Sequence, residues 1–273
     1  MFGKVAPKSK FQSALNILEL IYHSIVRSVR LTHGNAILAL LLNMMQAAVM
    51  LAMFYIMMIV LGMRTSAIRG DFMLYIMSGI FLYMTHIKTV NAVAGSEGPS
   101  SGMMQHAPMN TFISMFSTAL SMLYLQTLTM FTLLFLYFML WTRFEVDQPI
   151  QAYGTFLVAW FSGASIGLVL LAVKPWYPVP VGIITTVYTR ASMIASGKMF
   201  VANAMPGYMR DLFDWHPLFH VIDQCRGFVF INYTPHHSNI MYSIALSLIM
   251  ITIGLLGEFY TRQSVSVSWG ARR

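Results

Sequence analysis

The sequence predicts an all-α membrane protein with six transmembrane helices, preceded by an amphipathic helix lying in the membrane interface. Three observations carry this. Of 273 residues, 57% are hydrophobic and only 10% charged, with a mean hydropathy of +0.65. A soluble domain carries about 25% charged residues, so most of this surface must face lipid. Six apolar runs, near 36–62, 72–94, 112–141, 154–173, 178–201 and 239–257, meet or approach the roughly 20 residues a helix needs to cross a bilayer. The runs are continuous, with none of the short alternating segments of a membrane β-barrel.

The N-terminal segment, residues 1–35, holds a helical pattern over 12–33. Leu15, Leu18, Tyr22, Ile25 and Val29 follow 3-4-3-4 spacing, while Asn16, Glu19, His23, Arg27 and Arg30 fall on another face. Such a helix suits an interface, its basic face toward anionic headgroups, although a cytoplasmic packing helix has the same period. The first apolar run begins near residue 36 and is too long for the core of a cleavable leader, so the chain is expected to insert through its own helices. Basic residues cluster at the ends, as Lys4, Lys8, Lys10, Arg27 and Arg30, then Arg262, Arg272 and Arg273. With six spans over 36–257 and a tail at 258–273, both termini are expected in the cytoplasm. The first loop, with Arg64 and Arg69, and the third, with Arg143, Glu145 and Asp147, are then external. The cytoplasmic loop 95–111 is rich in Gly, Ser and Pro, and reads as a linker or as one short helix near 101–106 that docks on a soluble partner. In the fourth run Ser162, Gly163, Ser165 and Gly167 allow close backbone approach within a bundle.

Several functions are excluded by what the chain contains. A single cysteine, Cys225, permits neither an intrachain disulfide framework nor a cysteine metal cluster. The net charge of +8 is spread over the ends and the flanks of the apolar runs, so no nucleic-acid partner is expected. The glycine-rich phosphate loop of ATP-using proteins does not occur, and Gly197–Lys198 lacks the rest of it. Any ATP must be bound by another chain.

Charge inside an apolar run marks function by default. Arg190 falls near the middle of the fifth run, with Lys198 two turns beyond; Lys88, in the second, is close enough to the cytoplasmic end to snorkel. Arg190 is either a buried arginine bonded to backbone carbonyls or a polar neighbour, or the cationic wall of a pathway for an anionic substrate. Between the fifth and sixth runs lies an aromatic stretch too interrupted to cross the bilayer. There Pro217 suits a first helical turn, and His220, Asp223 and Arg226 recur every third residue along one strip, able to bond one another or a neighbouring span. His216 stands before the helix, Cys225 points away from the strip, and His236–His237 belong to a turn. No zinc ligand set is complete.

The spacing Pro217-x-x-His220-x-x-Asp223-x-x-Arg226 resembles the Pro-x-x-His-x-x-Glu-x-x-Arg segment of the permeases that export capsular polysaccharides, which are type-2 ABC transporter membrane subunits. Nearly the whole chain shares the likeness. Arg27, Arg30, Thr32 and Gly34 resemble the family's approach to its first span, His106 to Asn110 fall at its cytoplasmic coupling helix, and Ser196–Gly197 with Met205–Pro206 resemble the close of its fifth span. Asp223 stands where the family has Glu. The resemblance implies a homodimer with a channel at its interface, a partner ABC ATPase that binds ATP and Mg while this chain binds no cofactor, and a hairpin of short helices re-entering the outer leaflet between spans five and six.

The chain is therefore expected to be a permease subunit, not itself an enzyme, that moves a lipid-linked, capsule-type polysaccharide or glycolipid across the bacterial inner membrane. Trp215, Phe219, Phe228 and Phe230 would stack on sugars, Arg190, Lys198 and Arg226 would hold carboxylate or phosphate, and Glu97, Met103, Gln105 and His106 would couple to the ATPase. Trp141, Trp176 and Tyr177 read as an interfacial belt. The alternatives are permeases for O-antigen, lipid or drug, a metalloenzyme built on His216, His220, Asp223 and the histidine pair, and a secondary transporter, for which the two halves show no inverted repeat.

Overall fold

The computed structural model describes residues 19, 21–26, 35–60, 62, 68–96 and 111–271. Glu97, Met103, Gln105 and His106, the docking helix expected near 101–106, and Arg27, Arg30, Thr32, Gly34 and Arg64 lie outside the described residues. All regular structure among the described residues is helical: α1 (Ala36–Val60), α2 (Phe72–Gly95), α3 (Thr111–Leu140), α4 (Pro149–Val173), α5 (Pro178–Ala195), a 3-10 turn (Ala202–Ala204), α6 (Gly207–Asp211), α7 (Pro217–Val229) and α8 (Ile240–Ala271). Four of them, α1, α3, α4 and α8, are long and apolar enough to cross a membrane. The other two long runs, α2 and α5, carry more polar side chains, including Thr85, His86, Lys88 and Thr89 in α2 and Thr185, Thr186, Thr189 and Arg190 in α5.

The helix ends follow from local chemistry. Asp71 caps α2 by accepting from the Leu74 amide at 2.9 Å. Its carboxylate also accepts from the Tyr137 hydroxyl at 2.8 and 2.9 Å, which ties the end of α3 to the start of α2. Pro149 and Pro178 open α4 and α5, where a missing N–H costs nothing. The fifth apolar run extends to residue 201, but its helix stops at Ala195 because Gly197 turns left-handed at φ +70°. The last helix does the reverse: the segment expected as a tail from residue 258 continues α8 to Ala271.

α2 is the axis of the bundle, buried along most of its length against α1, α3, α4 and α7. Small residues let α4 come close to it. A Cβ at Gly163 would stand 2.5 Å from the His86 carbonyl oxygen, and one at Gly167 would stand 2.9 Å from that of Val90. The expected close approach is thus made within the chain, between α4 and α2. On the far side of α4, Gly254 of α8 seats the Leu168 side chain in the same way. Ile21 and Ile25, in the helical residues 21–26, receive hydrogen bonds on their carbonyls from Ser117 and Ser121 of α3. Tyr22, expected on the apolar face of that helix, is 63% exposed, because the docked side is the one carrying Ile21 and Ile25.

Overpacking at a helix contact costs about 1–3 kcal/mol, so Gly163→Ala should destabilise the detergent-solubilised protein by that amount. Gly154→Ala, with open space around its Cβ, should be neutral or slightly stabilising. Thermal unfolding of the two variants side by side checks both outcomes.

Candidate functional site

The predicted helix at Pro217 forms, and His216 caps it: its Nδ1 accepts from the Leu218 amide at 3.2 Å. Since Nδ1 accepts, the ring proton is on Nε2, which donates to Ser192 Oγ of α5 at 2.9 Å. Burial, with His86 and His220 adding repulsion, pulls the His216 pKa from 6.5 to about 3, so the ring is neutral.

His220, Asp223 and Arg226 do share one strip of α7, but among the described residues none of them hydrogen-bonds another. Each fastens a different segment. His220 Nδ1 accepts from the Asn239 amide at 3.2 Å, so its Nε2 donates to the Asp214 carbonyl at 2.7 Å. Asp223 accepts from the Tyr233 hydroxyl, from Ser238 Oγ at 2.7 Å and from the Ala202 amide at 3.4 Å. Burial, then the bond to and charge of Asp223, push the Tyr233 pKa up, so the phenol keeps its proton. Arg226 is fully buried and donates to the carbonyls of Gly197 at 3.0 Å, Lys198 at 2.6 Å and Phe200, while its guanidinium lies 4.2 Å from the centre of the Tyr75 ring. These carbonyls lie in the turn that follows the break of α5, where the Gly197 carbonyl also accepts from the Phe200 amide at 3.2 Å. The strip therefore binds the chain on either side of α7 to α7 itself, and Arg226 adds the contact with Tyr75 of α2.

A second polar cluster, which sequence reasoning missed, lies behind α5. His86 of α2 is fully buried. Its Nδ1 faces the Ala159 carbonyl at 3.2 Å and Ser162 Oγ at 2.8 Å, and a carbonyl only accepts, so Nδ1 carries the proton. Nε2 then accepts from the Tyr188 hydroxyl of α5 at 2.8 Å. The Tyr188 ring stacks on that of His216 at 5.8 Å. A histidine between threonines inside an apolar run, Thr85-His86 and Thr89, was the available signal. Lys88, one turn away from Thr85, donates to the side-chain oxygens of Asn43 and Gln46 on α1, and Gln126 of α3 donates to Asn43 at 3.1 Å.

The residues expected on the pathway separate. Arg190 is exposed on α5 and, among the described residues, makes no hydrogen bond or ion pair, so it is not the carbonyl-bonded buried arginine. Lys198 is only 3% exposed; its Nζ sits 3.4 Å from the centre of the Tyr83 ring and 4.5 Å from that of Phe54, and among the described residues it has no hydrogen-bond partner. Phe219 is in the core, where it occupies the space a Cβ at Gly197 would need, and so cannot offer a face to a sugar within this chain. Phe228 is half-buried, and Trp215 is exposed with its indole N–H on the Leu212 carbonyl. Trp141, Trp176 and Tyr177 are exposed at helix ends, where a belt would put them. His236 and His237 are exposed, and among the described residues no three His, Cys, Asp or Glu side chains gather around one point. No protein-family model matches the chain, and no curated protein matches it.

Arg226→Lys should destabilise the fold on the order of 3 kcal/mol, because one ammonium cannot span three carbonyls and leaving that of Lys198 or Phe200 unpaired is costly. Arg69→Lys, at an exposed site, should stay within about 0.5 kcal/mol. Denaturation monitored in detergent separates the two.

Proposed function

We propose that this chain is the membrane-spanning permease subunit of an ATP-driven exporter that carries a capsule-type, lipid-linked polysaccharide outward across the bacterial inner membrane. The observation that carries the reading is the outward face of α5. Ile183, Val187, Arg190 and Ile194 recur at helical spacing on it, and all are exposed. A guanidinium turned toward lipid at mid-helix costs at least about 2.5–3.5 kcal/mol. A second copy of the chain, or a wet pathway between two copies, removes that cost and gives Arg190 an anionic cargo to meet.

The other elements fit around that face. α2 and α5 join the four apolar helices as spans, giving six, with both termini in the cytoplasm. The stretch from the end of α5 through α7 is the re-entrant hairpin: α7 packs against α2, and its Arg226 binds the carbonyls of Gly197 and Lys198 in the turn after α5, which is the condition for irregular backbone at membrane depth. The loop after α2 couples to an ATPase that supplies ATP and Mg. The resemblance of the Pro217-to-Arg226 spacing to polysaccharide-export permeases supports the cargo. The metalloenzyme reading loses ground because His216, His220 and Asp223 all have their lone pairs engaged by protein donors or their protons committed to protein acceptors.

The test is reconstitution with the candidate ATPase and a labelled anionic glycan. Arg190→Leu should accumulate in the membrane and bind the ATPase as the parent does, while transport falls on the order of tenfold, the loss of one charged contact of about 1.5 kcal/mol. Normal transport by Arg190→Leu, or failure of the chain to bind any ATPase, would contradict the proposal.

A further inference from the structure

A crevice of about 390 Å³ opens sideways between α3 and α4, two helices that touch each other sparingly although both pack on α2. Phe81 of α2, with Cys225 and Val229 of α7, forms its floor; Phe131 of α3 and Tyr153 of α4 also line it and touch each other, with ring centres 5.9 Å apart. The lining is apolar except for Ser78, whose hydroxyl is already donated to the Tyr75 carbonyl, and the Tyr153 hydroxyl. Water gains too few partners there to stay. An empty space would forfeit dispersion contacts along the whole lining.

The crevice is built and not a gap about to close. At one end the turn 141–148 is pinned to the end of α7 by the Asp147 amide on the Val229 carbonyl at 3.3 Å and the Gln148 amide on the Phe228 carbonyl at 2.8 Å. On the opposite side of α3, the Tyr137–Asp71 bonds fix that helix against α2. From these observations we propose that the crevice is a binding site for one hydrocarbon chain of a bilayer phospholipid. An apolar cavity of about 150 Å³ takes a six-carbon ring, so this one holds about fifteen carbons, the size of an acyl chain. Both α3 and α4 are long and apolar enough to cross a membrane, which puts hydrocarbon at the opening. The rim turn carries exposed Arg143, Glu145 and Asp147, a cation beside anions, and so complements the phosphate and ammonium of a zwitterionic headgroup. The site needs only that α3 and α4 span a bilayer; it does not depend on the cargo proposed for the chain.

The test uses vesicles containing phosphatidylethanolamine with a photoactivatable diazirine near the end of one acyl chain. Crosslinks on the parent protein should concentrate on peptides holding Phe131, Tyr153 and Cys225. Ala152→Trp, which fills the crevice from α4, should reduce them to the level seen on the open face of α1, and Arg143→Ala should lower them about twofold, the size of one exposed charged contact. Native mass spectrometry of the parent after mild detergent extraction gives a reading that needs no variant: one phospholipid retained per chain. Crosslinks spread evenly over all lipid-facing helices would overturn the proposal. So would labelling by a diazirine polyprenyl phosphate in place of the phospholipid.

Discussion

A helix that breaks inside a membrane protein leaves backbone carbonyls that only protein can satisfy, and the Arg226 guanidinium donates to three in the turn that follows. The break is forced by Gly197, and the side chain that holds it comes from a helix more than twenty residues away in sequence. The pairing is reciprocal. Without the arginine the Lys198 and Phe200 carbonyls would lose their donor; without the turn a fully buried cation would lose the acceptors it has among the described residues. Tyr75 of α2 lies over the guanidinium face, so the arrangement also registers both segments against the central helix.

From this fastening comes the posture of α5. It is tied to the bundle along its inner side, through Tyr188 to His86, Ser192 to His216, and the Thr189 carbonyl to Tyr83. Its other side is left open and carries Arg190. A polar inner seam and a mixed outer face are hard to reconcile with a helix surrounded by lipid, and natural for one standing between its own bundle and something else that is polar or proteinaceous.

Much of the fold was legible because it depends on local pattern. All six apolar runs became helices, and Pro217 with His216 before it set the start of α7 within a residue. The strip of His220, Asp223 and Arg226 was visible as spacing. What each residue grips was not, since Asn239, Tyr233 and the carbonyls after Gly197 are brought to α7 by tertiary packing alone. The same blindness explains Phe219, which reads as an available aromatic yet fills the space beside a glycine in the left-handed region. The partners of Lys88 were hidden because a sequence does not show that Asn43 and Gln46 of α1 stand beside it. The end of α5 was overestimated for a simpler reason: hydropathy continues through residue 201 while the backbone has already turned at Gly197.

The surroundings of the open face of α5 decide between a helix bathed in lipid and one facing a partner or a pathway, and they can be measured directly. In a Cys225→Ala background, single cysteines are introduced one at a time as Arg190→Cys on α5 and Phe138→Cys on the exposed side of α3. Each is then probed in membranes with a water-soluble maleimide and with a disulfide-forming oxidant. The α5 position should be labelled from water or crosslinked to a second copy, while the α3 position should be neither. If the α5 position were as inert as the α3 position, and a label there were quenched equally by brominated lipid, α5 would face hydrocarbon and the permease account would be wrong.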